Sequence, residues 1–203
     1  MKKIWLATIA VAAMAYPANT VLAATGSGSF SVRGIGSQSC KSLVEGTGDK
    51  TGGQAVMDML GSWIAGYLSH GNRAADGTFE VMPISDTRVV SQMVLNVCNA
   101  NPETMVEPAV ATIINSLKSS VQSDDTPIIE ITNAGLTTQI RKGAFLLAQK
   151  RLEALGLLPS GSSDGSYGPR TRDALVAFQR EKNTQATGIP DAVTLINLFV
   201  ADK

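Results

Sequence analysis

Histidine is nearly missing from this chain, which has one, His70, in 203 residues, and cysteine is almost as scarce, with Cys40 and Cys98 alone. Zinc enzymes draw several ligands from His, Cys, Asp and Glu, so a single imidazole leaves too few donors. No metal and no cofactor is expected. A nucleophilic cysteine needs a base, and Cys40 sits in no Ser/Gly-rich setting that would pair it with His70. Hydrolysis by two carboxylates needs a placed pair, and the spacing of Glu45, Asp58, Glu80, Glu103 and Glu107 selects none. Charge of one sign is lacking too: 17 basic residues face 17 acidic ones. That balance names no nucleic-acid partner. Long apolar runs are missing beyond the first residues, so no later segment approaches the roughly 20 apolar residues of a membrane helix. The expectation is a protein that is not an enzyme.

What is present begins with Met1-Lys2-Lys3, an apolar stretch from Ile4 to Ala15, and Val21-Leu22-Ala23. This pattern predicts a secretory signal over 1–23, with cleavage before Ala24. A retained anchor helix is the rival reading. No cysteine follows the expected cut, which argues against a lipid anchor, and no stable membrane span should remain after cleavage. In an oxidising compartment the default for Cys40 and Cys98 is a disulfide. Closing a loop of that length contributes about 4 kcal/mol in the loop-entropy treatment.

The remaining chain divides by pattern. Residues 24–38 are rich in Gly and Ser and read as a flexible leader. From Gln54 to Leu68, Val56, Leu60, Trp63, Ile64 and Tyr67 recur at three- and four-residue steps and line one helix face, with Ser69-His70-Gly71-Asn72 as its end. Asp86 is placed to cap a second helix that carries Val89, Val90, Met93, Val94 and Val97 up to Cys98. Asn101-Pro102-Glu103 announces a third, from Met105 to Leu117, in which Pro108 introduces a bend. The polar stretch from Ser119 to Pro127 marks a boundary, so 39–122 is read as a helical, disulfide-bonded domain and 123–136 as a linker. Ile128 to Thr132 has the β-branched character of a short strand with no evident partner. Residues 137–203 then hold three helices. One carries Phe145, Leu146, Ala148, Leu152 and Leu155 and stops at Gly156; the others run from Thr171 to Lys182 and from Asp191 to Val200. Leu152, Leu155, Leu175, Phe178, Leu195 and Leu198 form the expected core. The fold class is mainly α.

Gln149-Lys150-Arg151-Leu152, Leu155-Gly156, Asp164-Gly165-Ser166-Tyr167-Gly168-Pro169, Thr171, Ala174, Phe178-Gln179, Thr187-Gly188, Asp191 and Thr194 occur in an order and spacing that resemble the bacterial peptidoglycan-binding domain of the three-helix type. The resemblance implies a module that fastens secreted proteins to the cell wall. The residues also have local work to do. Asp164-Gly165 and Tyr167-Gly168-Pro169 build a tight turn, and Thr171 is placed to cap the helix that follows. Tyr167 either packs under the loop or stacks on a sugar face. Residues 137–203 carry nine Lys/Arg against six Asp/Glu, whereas Ala24 to Gln122 carries six against eight. Arg170 and Arg172 beside the turn are therefore candidates to hold the carboxylates of wall stem peptides, or else are solvated. Gln149 and Gln179 either bond the amides of those peptides or cap a neighbouring turn. The candidate peptidoglycan groove is Gln149, Asp164, Tyr167, Arg170, Arg172 and Gln179.

Cys40, then Trp63-Ile64-Ala65-Gly66-Tyr67-Leu68, then Cys98 and Asn101-Pro102, is similar to HdeA-like periplasmic helical proteins, and also to periplasmic immunity proteins that inhibit amidase toxins. Both resemblances imply a binding protein. Trp63 and Tyr67, one turn apart, read as core or as an exposed hot spot. The function expected is a periplasmic, cell-envelope protein that binds peptidoglycan non-catalytically, its first domain serving as a protein-binding or chaperone-like module for an envelope protein. The alternative is a cell-wall hydrolase, or an accessory subunit of one, whose catalytic site carries no recognised motif.

Overall fold

A computed structural model describes residues 29–49 and 51–200. The expected signal, 1–23, and the start of the leader lie outside the described residues. Among the described residues there are seven α-helices and one two-stranded hairpin. The mainly α reading therefore stands.

Helices α1 (Cys40–Thr47), α2 (Gly53–Ala74), α3 (Thr87–Ala100) and α4 (Val106–Ser116) pack on one another around Leu43, Leu60, Ile64, Val94, Val110 and Ile113, all buried. Ser39 caps α1 by accepting the Ser42 N–H at 3.2 Å, and Asp86 caps α3 through the Arg88 N–H at 3.0 Å. The Cys40–Cys98 disulfide, spanning 58 residues, ties the first turn of α1 to the last turn of α3, with both cysteines fully buried. Beside it the Cys40 N–H donates to the Thr104 carbonyl at 2.7 Å and Val106 N–H to that of Gln38 at 3.0 Å. The bridge thus sits where the chain ends of three helices already meet.

Four expectations for this region are corrected. The leader is not without order to its end: Gly34–Ser37 forms a turn of 3-10 helix, with Ile35 buried and Gly36 laid against the Trp63 ring. One apolar residue among Gly and Ser was enough to dock the segment, because α2 offers it a finished surface. Second, α2 does not end at Leu68 but continues to Ala74. Its polar residues serve the helix instead of stopping it: the Ser69 hydroxyl donates to the Ala65 carbonyl, and the Asn72 side-chain oxygen accepts the Val81 N–H at 2.8 Å. Third, Asn101-Pro102-Glu103 forms a turn and α4 begins only at Val106. Fourth, Pro108 then falls in the first turn, where its missing N–H leaves no intrahelical bond unmade, so it has no bond to break.

The hairpin joins β1 (Ile128–Asn133) to β2 (Leu136–Arg141), antiparallel, with Ile128 opposite Arg141 and Asn133 opposite Leu136. The turn between them is Ala134-Gly135, both at positive φ, as a two-residue hairpin requires. The strand expected at Ile128 to Thr132 therefore has its partner in Leu136 to Arg141, and 123–136, read as a linker, carries β1 and the hairpin turn. Helices α5 (Lys142–Ala154), α6 (Pro169–Glu181) and α7 (Ala192–Phe199) follow, with Phe145, Leu152, Leu175, Phe178, Leu198 and Phe199 buried between them. Leu155 is corrected from core to surface, being 46% exposed. Gly156, at φ 73°, reverses the chain, both following N–H groups return to the Leu152 carbonyl, and Leu158 takes the interior place.

Candidate functional site

Two glutamines organise the loops between the last three helices. Gln149, on α5, is fully buried, and its side-chain oxygen accepts the Gly165 N–H at 2.7 Å. Its amide nitrogen reaches the Ser166 carbonyl at 3.0 Å and the Thr171 hydroxyl at 3.1 Å. Gln179, on α6 and equally buried, accepts the Gly188 N–H at 2.8 Å and reaches the Ile189 carbonyl at 3.0 Å and the Thr194 hydroxyl at 2.8 Å. Each bracket holds a glycine at positive φ, the carbonyl after it, and a threonine in the first turn of the next helix. A buried amide satisfied at both ends has nothing left to offer a ligand. The reading of Gln149 and Gln179 as groove contacts is corrected accordingly. They shape the loops from beneath.

Thr171 is also corrected as a helix cap. Gly168 occupies the cap position, Pro169 the first helical position, and the Thr171 hydroxyl serves Gln149. In α7 Asp191 is the cap, its side chain accepting the Thr194 N–H at 2.8 Å.

Above the first bracket lies an open cleft of about 500 Å³, lined by Gly161 to Ser162, Asp164 and the run Ser166 to Thr171. Of the six expected groove residues it gathers Asp164, Tyr167 and Arg170. Asp164 accepts the Ser166 N–H at 2.7 Å, a bond that, with that from Gln149, holds its carboxyl below the usual range. Tyr167 is half-buried. Its hydroxyl donates to the Gly188 carbonyl at 2.7 Å, its ring sits 6.3 Å from that of Phe145, and burial pushes the phenol up. It thereby links the two glycine loops while lining the cleft. Arg170 is exposed at the rim. Arg172 lies apart from the lining, its guanidinium on Asp173 at 2.7 Å and its stem against Gly188.

Ser162, which also lines the cleft, was not singled out from sequence, and Ser166 was named only as part of the turn motif and not as a groove residue. The only signal for Ser162 was its place in a Gly/Ser-rich loop after Gly156, which does not say which way a loop faces.

In the amino-terminal half, Trp63 and Tyr67 stack at 5.1 Å and are both half-buried. The indole N–H donates to the Arg33 carbonyl at 2.8 Å, and the Tyr67 hydroxyl donates to buried Glu107 at 2.6 Å. Burial, reinforced by the Glu107 carboxylate, pushes the Tyr67 phenol well above its ordinary value. These polar tips fasten α2 to its neighbours. Among the described residues no cluster of three or more His, Cys, Asp or Glu is placed to hold a metal ion, and no helix is long and apolar enough to cross a membrane.

Residues 142–198, which run from the start of α5 almost to the end of α7, match the family model described as a putative peptidoglycan binding domain. No curated protein and no solved structure matches the chain significantly.

Proposed function

We propose that this is an exported, periplasmic cell-envelope protein that holds peptidoglycan without cleaving it, through a domain spanning 137–203. The observation that carries the reading is the coincidence of the family match over 142–198 with an open cleft built on conformationally constrained loops. Arg170 supplies the charge-assisted bond to a stem-peptide carboxylate, the exposed part of the Tyr167 ring lies against a sugar face, and Asp164 and the serine hydroxyls take amide and hydroxyl groups. A disulfide in the amino-terminal half suits an extracytoplasmic compartment. Residues 39–122 act as the protein-binding or chaperone-like module, in keeping with the resemblance to HdeA-like and amidase-inhibiting periplasmic proteins.

The test is sedimentation of the full chain with purified insoluble peptidoglycan, with a zymogram of the same sample. Wild type should pellet and clear no wall. Arg170→Ala, at an exposed position, should pellet roughly tenfold less well, as expected for loss of one charge-assisted bond. A soluble wild type would overturn the wall reading, and wall clearing would overturn its non-catalytic part.

A further inference from the structure

The hairpin leaves one edge of β2 unpaired. Lys142 N–H donates to the Pro127 carbonyl at 2.9 Å, continuing the register in which Ile128 faces Arg141. Antiparallel ladders alternate between pairs that exchange hydrogen bonds and pairs that do not. Leu136, Thr138 and Ile140 therefore turn their backbone groups toward β1, and Thr137 and Gln139 turn both of theirs away, as does the Arg141 N–H. Among the described residues these outward groups have no hydrogen-bond partner.

That edge forms a wall of a cleft of about 440 Å³. Five consecutive residues, Thr137 to Arg141, line it together with Ile128 of β1, opposite Arg141, whereas a strand presenting only a face would contribute every second residue. The run Pro83 to Asp86 and the segment Ile189 to Ala192, which leads into α7, also line it. Its base is apolar, with Ile84, Ile189 and Leu195 buried below. Its charge is acidic. Glu80, Asp86 and Asp191 line it against one lining cation, Arg141, whose guanidinium is already divided between Asp125 at 2.7 Å and Glu80 at 3.9 Å, while Asp86 also pairs with exposed Arg88 at 3.3 Å outside the lining.

We propose that this cleft is a second binding site, which takes an extended polypeptide segment bearing Lys or Arg as an added strand on the edge of β2. Unpaired N–H and C=O groups supply the main-chain recognition, and the apolar base takes alternate side chains. The acidic rim selects cationic ones and disfavours the carboxylate-rich stem peptides of the wall. A second copy of this chain would bring the same carboxylates against themselves. The inference adds to the proposed function a peptide site that residues Glu80 to Asp86 of the first domain share with β2 and the Ile189 to Leu195 segment, so partner binding is not confined to 39–122, and it does not depend on wall binding.

The probe is a labelled heptapeptide of alternating lysine and valine, titrated into the full chain and followed by fluorescence anisotropy. Saturable binding is expected, weakened roughly tenfold or more when alternate backbone amides are N-methylated or when glutamate replaces lysine. Asp86→Asn, which keeps the helix cap, should weaken it several-fold. Gln139→Pro, which removes an outward N–H from an edge strand, should abolish it while sedimentation with peptidoglycan stays unchanged. If Gln139→Pro lowers the melting temperature, the N-methylated peptide and Asp86→Asn carry the test. Absence of saturable binding, or equal binding of the N-methylated peptide, overturns the added-strand site. Competition by soluble wall fragments would assign the cleft to the wall, and self-association abolished by the peptide would assign it to a second copy; either overturns the proposal. Failure of the wall reading shows separately, as a wild-type chain that binds the peptide and does not sediment.

Discussion

Gln149 and Gln179 perform the same task thirty residues apart: each, fully buried, accepts the N–H of a glycine at positive φ and reaches the carbonyl after it and the threonine six residues beyond that glycine. The loop under the candidate wall cleft and the loop that Tyr167 bonds to are thus held by one device used twice. Removing either amide leaves several buried polar groups unpaired, which costs far more than the net value of the bonds themselves.

Gln149→Ala and Gln179→Ala should each destabilise the protein by about 3 kcal/mol, read by thermal or denaturant unfolding. Gln149→Ala should also weaken sedimentation with peptidoglycan, since Gly165 and Ser166 lose their support. A change below about 0.5 kcal/mol would mean that water takes over the bonds and that the loops do not depend on the brackets.

Gly36→Ala should cost about 1 to 3 kcal/mol through overpacking. A Cβ on Gly36 would clash with the Trp63 ring, and the indole is held in place by its bond to the Arg33 carbonyl. Tryptophan fluorescence should report the displaced ring. An unperturbed spectrum and melting curve would show that the turn at Gly34–Ser37 is not docked on α2.

Reduction of the Cys40–Cys98 bridge, which spans 58 residues, should remove about 4 kcal/mol. Melting the chain with and without reductant measures it. Unchanged melting would place the stability of α1 to α4 wholly in their apolar core.

Glu80 sets a pH dependence. Its burial raises the carboxyl above its ordinary value of 4.5 in spite of Arg141 nearby. A carboxyl whose folded value is raised binds its proton more tightly when folded, so its contribution is favourable below the unfolded value and is lost as pH rises through the folded one. Glu80→Gln should therefore match wild type in acid and be the more stable of the two at neutral pH. Equal pH profiles for the two chains would mean that the Arg141 ion pair offsets the burial.

Apolar periodicity made the helices legible. Val90, Val94 and Cys98, or Leu175, Phe178 and Gln179, lie on one face whatever packs against them, because the helical repeat alone decides which side they share. Ends were less legible. The polar residues of Ser69 to Asn72 suit a helix stop and equally suit a helix surface, and only the arrival of Val81 beside Asn72 settles the matter. The strand at Ile128 was visible, but Leu136 to Arg141 has too few apolar residues to announce itself as its partner.

By itself the sequence determined the helical class, the one possible disulfide, and the order of glycine, glutamine and threonine that marks the last domain. These depend on local repeat, on there being two cysteines, and on spacing along the chain. Tertiary structure alone decided that Gln149 and Gln179 face inward, that Leu158 and not Leu155 enters the core, that Arg172 turns to Asp173, and that an unpaired strand edge borders an acidic cleft. Each of those outcomes depends on where a chain reversal delivers a partner from elsewhere in the chain, and a polar side chain carries no mark of whether its partner will be a ligand or its own backbone.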